Sequence, residues 1–102
     1  MDQREVIEKL IRYRYLLSKH FDIDKIILFG SYAKGLQRTD SDIDVAVVVK
    51  QVEGDYFTYT PLLWQLRREI DDRIEPILFE ACKDKSGFLK AIVKEGIEIN
   101  ST

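Results

Sequence analysis

The stretch LFGSYAKGLQRTDSDIDVAVVV, residues 28–49, decides how this 102-residue chain folds. It opens on the end of an apolar run, Lys25–Phe29, whose length and β-branched content predict a strand covered on both faces. It closes on a second such run, Ile43–Val49. Between them, Gly30 ends the first strand and the polar segment Ser31–Ser41 reads as a short helical turn followed by a loop. Gly30-Ser31 thus stands where a strand gives way to a helix start. There, free N–H groups and a missing Cβ let an anionic phosphate approach. Asp42 and Asp44 stand two residues apart at the entrance to the second strand, so the alternation of side chains puts them on one face. Two carboxylates so close repel unless a cation lies between them, and a hard divalent ion such as Mg2+ takes oxygen ligands of this kind. Taken singly, Gly-Ser is an ordinary turn and Asp-x-Asp a solvated strand entrance. Together they set a phosphate-binding turn opposite a metal-binding pair, the juxtaposition that a triphosphate chelating Mg2+ requires.

Working outward, Val6, Leu10, Tyr13 and Leu17 fall at spacings of four, three and four, which predicts an amphipathic helix from Asp2 to about His20. Asp2 is its expected N-cap and Glu5 the capping-box partner. Beyond the second strand, Lys50–Asp55 is read as a polar loop holding Gly54. Thr60-Pro61 reads as an N-cap with proline at the first helical position. The helix it opens should turn Leu62, Leu63, Leu66 and Ile70 inward and Arg67, Arg68 and Glu69 outward. A third strand, Ile74–Phe79, follows the acidic turn Asp71-Asp72. Pro76 cannot donate within a ladder, so this strand is expected at an edge or a bulge. The last helix, about Ser86–Glu95, carries Phe88, Leu89, Ile92 and Val93 on one face and stops at Gly96, with Ile97 and Ile99 as a short tail. The order is α-β-α-β-α-β-α, an α+β fold with a small mixed sheet of about three strands in a two-layer domain.

Length and composition bound the function. The chain fits one domain, residues 1–102, with no second domain for a substrate. If it is an enzyme, part of its acceptor site is expected from another chain. Sixteen Lys+Arg against eighteen Asp+Glu exclude a basic arm gripping nucleic acid by charge alone, so no direct nucleic-acid binding is expected. The single cysteine, Cys82, excludes an internal disulfide, and with one histidine, His20, a Cys- or His-rich metal site is excluded too. No apolar run approaches a membrane span, and the charged N-terminus lacks a signal-peptide core, so a soluble cytoplasmic protein is expected.

Residues 29–49 resemble the motif of the DNA polymerase β-like nucleotidyltransferases, and most of all their minimal members, the MNT antitoxin group. Phe29, Gly30, Ser31, Ala33, Gly35, Ser41, Asp42 and Asp44 match it. Lys34 stands where arginine is usual, keeping charge but losing the bidentate fork, and Gln37 stands where a small residue is common. The resemblance implies a third carboxylate on the third strand. Asp71 and Asp72 belong to the turn before it, whereas Glu75 lies within it between apolar neighbours. Glu80 lies an odd number of positions from Glu75 and would face the other way in a regular strand, although Pro76 weakens that argument. Glu75 is favoured, with Glu80 the alternative. Glu75 is a glutamate where many relatives carry aspartate.

The resemblance further implies nucleotidyl transfer. Asp42, Asp44 and Glu75 would hold two Mg2+ ions, and Gly30 and Ser31 would bind the phosphates of ATP, with Lys34, Arg38 and Ser41 as further nucleotide contacts. The implied partner is a HEPN-domain ribonuclease toxin, neutralised by AMP attached to one of its tyrosines. Two other readings remain: an antitoxin that binds nucleotide and partner without turnover, and a transferase acting on a small molecule, which would need a further domain. Tyr56 and Phe57 are candidate interface residues, and Trp64 and Tyr59 are read as packing. A homo-oligomer stays open.

Overall fold

The structure, a computed structural model, describes residues 2–52, 56–84 and 86–100; the expected loop residue Gly54 and the side chains of Tyr56 and Phe57 lie outside the described set. The elements are α1 (Gln3–Ser18), β1 (Ile23–Phe29), α2 (Ser31–Lys34), β2 (Ile43–Val49), α3 (Tyr56–Leu66, followed by a 3-10 turn, Arg67–Glu69), β3 (Ile74–Glu80), α4 (Phe88–Glu95) and β4 (Ile97–Glu98).

The stripe expected on α1 is its buried face: Val6, Leu10, Tyr13 and Leu17 are all fully buried. The Asp2 carboxylate caps it by accepting the Glu5 N–H at 2.9 Å. Tyr13 is also tied to α3, its hydroxyl donating to the Leu63 carbonyl at 2.8 Å. α3 starts a turn earlier than Thr60-Pro61 suggests, and Pro61 lies inside it. The missing Pro61 N–H costs one helical bond. Packing of Tyr59 against the core, with its ring 5.6 Å from that of Phe21, holds the extra turn in place.

β1 pairs antiparallel with β2, and β2 parallel with β3, which α3 makes possible as the crossover. β3 is an edge strand, as Pro76 requires. The sheet has four strands, in the order β3-β2-β1-β4, where the sequence suggests three. The expected tail is the fourth: Leu28 pairs with Ile97, Ile27 with Glu98, and the Ile99 N–H donates to the Ile26 carbonyl at 2.7 Å. β1 would otherwise present an unpaired edge, and two residues are too few to show any periodicity.

The sheet is covered on both faces, as its continuous apolar strands demand. On one face, Ile26, Leu28, Ile43, Val45, Val47, Ile74 and Leu78 meet α1 and α3 in the main core. On the other, Ile27, Ala46 and Val48 meet Leu89 and Ile92 of α4, with Phe29 and Phe79 at the margin. α4 therefore adds a partial third layer to the expected two. Its start is held by Asp84, whose carboxylate accepts the N–H groups of Leu89 at 3.0 Å and Lys90 at 2.9 Å. Phe88 and Val93, expected on the buried face of this helix, are about half exposed because the sheet beneath is too narrow to cover them. Among the described residues, no helix is long and apolar enough to cross a membrane.

Candidate functional site

β2 has room for seven residues, and six of them are buried apolar side chains; Asp44 is the exception. Strand alternation puts Asp44 on the same face as Ala46 and Val48, the α4 face. In register, Asp44 pairs with Phe29 of β1 on one side and with Glu75 of β3 on the other. Phe29, Asp44 and Glu75 thus form one row across three strands, at the margin of the part of the sheet that α4 covers. Asp42 enters the row from the loop, with its carboxyl in hydrogen-bonding contact with that of Glu75.

Gly30 follows Phe29 and turns the chain at φ +75°, in the region that favours glycine. A Cβ there would strike the Asp44 carboxylate, so this residue is glycine for two independent reasons. Ser31 then opens α2, which ends at Gly35, itself left-handed. Gly30, Ser31, Asp42, Asp44 and Glu75 are accordingly assembled at one place.

The electrostatics match that assembly. Burial raises the Asp44 carboxyl above its ordinary value, and the Asp42 charge raises it further. Glu75 is raised as well, by desolvation first, then by the charges of Asp42 and Asp44 and the contact with Asp42, with Arg67 pulling the other way. The site therefore holds more negative charge than the protein itself neutralises.

Of the other sequence candidates, Lys34 lies near this place, bordering a cavity that Gly30 also lines. Arg38 borders a polar groove with Asp2 and Glu5 at the start of α1. The Ser41 hydroxyl accepts the Arg38 N–H at 2.7 Å, stapling the loop that delivers Asp42. Glu80 is buried on the opposite face at the far end of β3, beside Lys83 at 3.5 Å. Asp71 is engaged with Lys9 at 2.8 Å and Arg73 at 3.0 Å. His20 and Cys82 are exposed, away from the row.

Sequence reasoning missed Arg67. Expected outward, it is half-buried against β3: its guanidinium donates to the carbonyls of Asp72 at 2.5 Å and Ile74 at 2.9 Å and stacks over Trp64 at 4.4 Å. It fixes the backbone leading into Glu75. Helical spacing could not reveal this, because the helix gives way to the 3-10 turn at that residue. Asp71 was also undervalued. It accepts from the Arg73 N–H at 2.8 Å and bridges α1 to β3, while Arg73 reaches the Thr39 carbonyl at 3.5 Å.

Among the described residues, no three His, Cys, Asp or Glu side chains stand close enough to cage a metal ion as they are. The donor set still suits a hard divalent cation. It is all carboxylate oxygen, and two of its three members are raised above their ordinary values, by burial first and then by neighbouring carboxylate charges that such a cation would offset.

Residues 8–102 match the family model described as "Polymerase beta, Nucleotidyltransferase". Two proteins of Methanocaldococcus jannaschii, both provisionally named protein adenylyltransferases, are similar in sequence. One is 31% identical over 81 residues, spanning 76% of this chain and 79% of its own length. The other is 34% identical over 74 residues, spanning 72% and 67%. A structure from Sulfolobus solfataricus, provisionally named a nucleotidyltransferase, superposes with a TM-score of 0.70 at 19% identity, covering 94% of this chain and 80% of that one. A chain of a toxin–antitoxin structure with AMP-PNP gives 0.67 at 26% identity, covering 94% and 73%. A chain of a Shewanella oneidensis complex between a tri-AMPylated HEPN toxin and an MNT antitoxin gives 0.62 at 23%, covering 98% and 73%. At 19% and 23% identity, the likeness is one of fold.

Proposed function

Because this chain belongs to the polymerase beta nucleotidyltransferase family, we propose that it transfers AMP from ATP to a hydroxyl of a partner protein. The partner is a HEPN-type toxin, and this chain acts as its antitoxin. The observation that carries the reading is the row Phe29–Asp44–Glu75 across three strands, with Gly30 packed against Asp44 and Asp42 against Glu75. The toxin–antitoxin structures among its fold relatives and the names of its sequence relatives support the acceptor class.

Asp42, Asp44 and Glu75 would hold Mg2+ at this place. Bound there, the cation would supply charge neutralisation at the triphosphate and stabilise the departing pyrophosphate. The chain's own residues do the rest. The Gly30 backbone and the Ser31 hydroxyl hold the β- and γ-phosphates, with Lys34 and Arg38 as further contacts to the nucleotide and Ser41 shaping the loop that delivers Asp42. This holds the α-phosphorus for in-line attack. Glu75 stands on the open β3 edge, the side from which a protein acceptor approaches. Its carboxylate takes the proton of the attacking hydroxyl. The acceptor oxygen bonds to the α-phosphorus as the bond to pyrophosphate breaks, and no covalent enzyme intermediate is needed.

The test is incubation with α-labelled ATP, Mg2+ and the product of the neighbouring gene, which this reading expects to be a HEPN-type protein. The expected outcome is labelled partner with the wild type and none with Asp42→Asn or Asp44→Asn, both still folded. Neutralisation of the toxin without label, equal in wild type and variants, would replace this reading with a binding-only antitoxin.

A further inference from the structure

α4 keeps a large aromatic ring half in water. Phe88 is 49% exposed, yet it is not loose. Phe29 meets it edge-on, centroids 6.4 Å apart at 88°, and Phe79 lies against it at 5.9 Å. A ring held by two others, with one side uncovered, is a preformed flat apolar surface. It sits on the carboxylate face of the sheet, and Phe29, which braces it, is the register partner of Asp44.

Beside Phe88 a cavity of about 190 Å³ runs between α2 and α4. It is too small for a whole nucleotide and of a size to take one base. Its wall includes Gly30, the residue whose other side touches Asp44, so cavity and carboxylates are separated by a single backbone position. Ala33 contributes apolar wall, and Lys34 and Glu95 add one cationic donor and one anionic acceptor. That pair complements the edge of adenine that presents the N7 acceptor and the N6 amine donor. Guanine presents two acceptors along the same edge and leaves a carboxylate without a partner.

We infer that the nucleotide's adenine enters the cavity between α2 and α4, stacked on Phe88, with the Glu95 carboxylate accepting from its N6 amine and Lys34 donating to N7. This rests on the transferase reading for the ATP substrate and the placement of its phosphates, and goes beyond it in naming the residues that read the base.

The test is equilibrium binding of ATP, GTP and inorganic tripolyphosphate to the full chain with Mg2+. Phe88→Leu should weaken ATP about tenfold, the scale of one lost base stack, and leave tripolyphosphate unchanged. Phe88→Trp should restore ATP. Glu95→Gln, at an exposed helix end, should erase the preference for ATP over GTP. The inference is overturned if Phe88→Leu binds ATP like the wild type, if it loses ATP and tripolyphosphate alike, or if the wild type prefers GTP. The two readings fail separately. Intact labelling of the partner with ATP binding indifferent to Phe88 strikes the base site alone. Phe88-dependent ATP binding without any labelling strikes the proposed reaction alone.

Discussion

The two faces of the sheet are built from the same strands to opposite ends. The face under α1 and α3 is apolar packing across the sheet, with the Tyr13 hydroxyl tied to the Leu63 carbonyl inside it. The face under α4 is apolar only where that helix reaches, and past its edge the strands present Asp44 and Glu75. Burial on the first face supplies the stability that the second draws on, because crowding carboxylates opposes folding. A strand such as β2 serves both by alternation alone: its odd-numbered residues hold the fold and Asp44 serves the chemistry.

The sharpest way to break this comparison is one substitution on each face. Asp44→Asn should cost about a thousandfold in transfer, several kcal/mol of transition-state stabilisation. It should leave the melting temperature unchanged or raised, since it relieves repulsion with Asp42. Leu10→Ala on the packed face should do the reverse, destabilising by about 2–5 kcal/mol in chemical denaturation with turnover per folded molecule retained. If Asp44→Asn unfolds the chain while Leu10→Ala leaves it stable, the division between faces is wrong.

Gly30→Ala tests the seam where the faces meet. At φ +75° and ψ −150°, a conformation that is essentially glycine's own, alanine should cost about 1–3 kcal/mol of stability, and the new Cβ, pressed on the Asp44 carboxylate, should weaken ATP binding as well. Loss of stability without loss of binding would show that the Gly30–Asp44 contact is only a turn.

A substitution that leaves the carboxylate row itself untouched sharpens the account of what orients Glu75. The side-chain hydrogen bonds from Arg73 hold the Asp71 carboxyl well below the usual carboxylate range, and Lys9 adds to this. A carboxyl whose pKa is lower folded than unfolded adds stability that is fully present above its unfolded value, near 4. That stability is lost as pH falls through the folded value. Asp71→Asn should therefore destabilise by about 2 kcal/mol at pH 7. The gap from wild type should close as pH falls below about 4. A gap independent of pH would assign the role of Asp71 to shape rather than charge.

Much of this was legible in the sequence because it depends on local order. The α1 stripe follows from spacing, β1 and β2 from branched apolar runs, and the edge position of β3 from Pro76. What was illegible depends on partners distant in the chain. β4 is strand only because β1 offers it an edge. α3 runs past Pro61 because the core holds its first turn. Arg67 turns inward because the carbonyls before Glu75 need donors.

The sequence by itself determined the strand–glycine–loop–strand unit and the identity of its acidic pair, because a backbone turn and side-chain alternation are set within a few residues. Tertiary structure alone decided that Glu75, thirty-one positions after Asp44, meets it in register across the parallel pair β2–β3. It also decided that Phe88 stands uncovered beside them, since which strand lies against which, and how far a helix covers a sheet, are settled only when distant segments compete to bury their apolar surface.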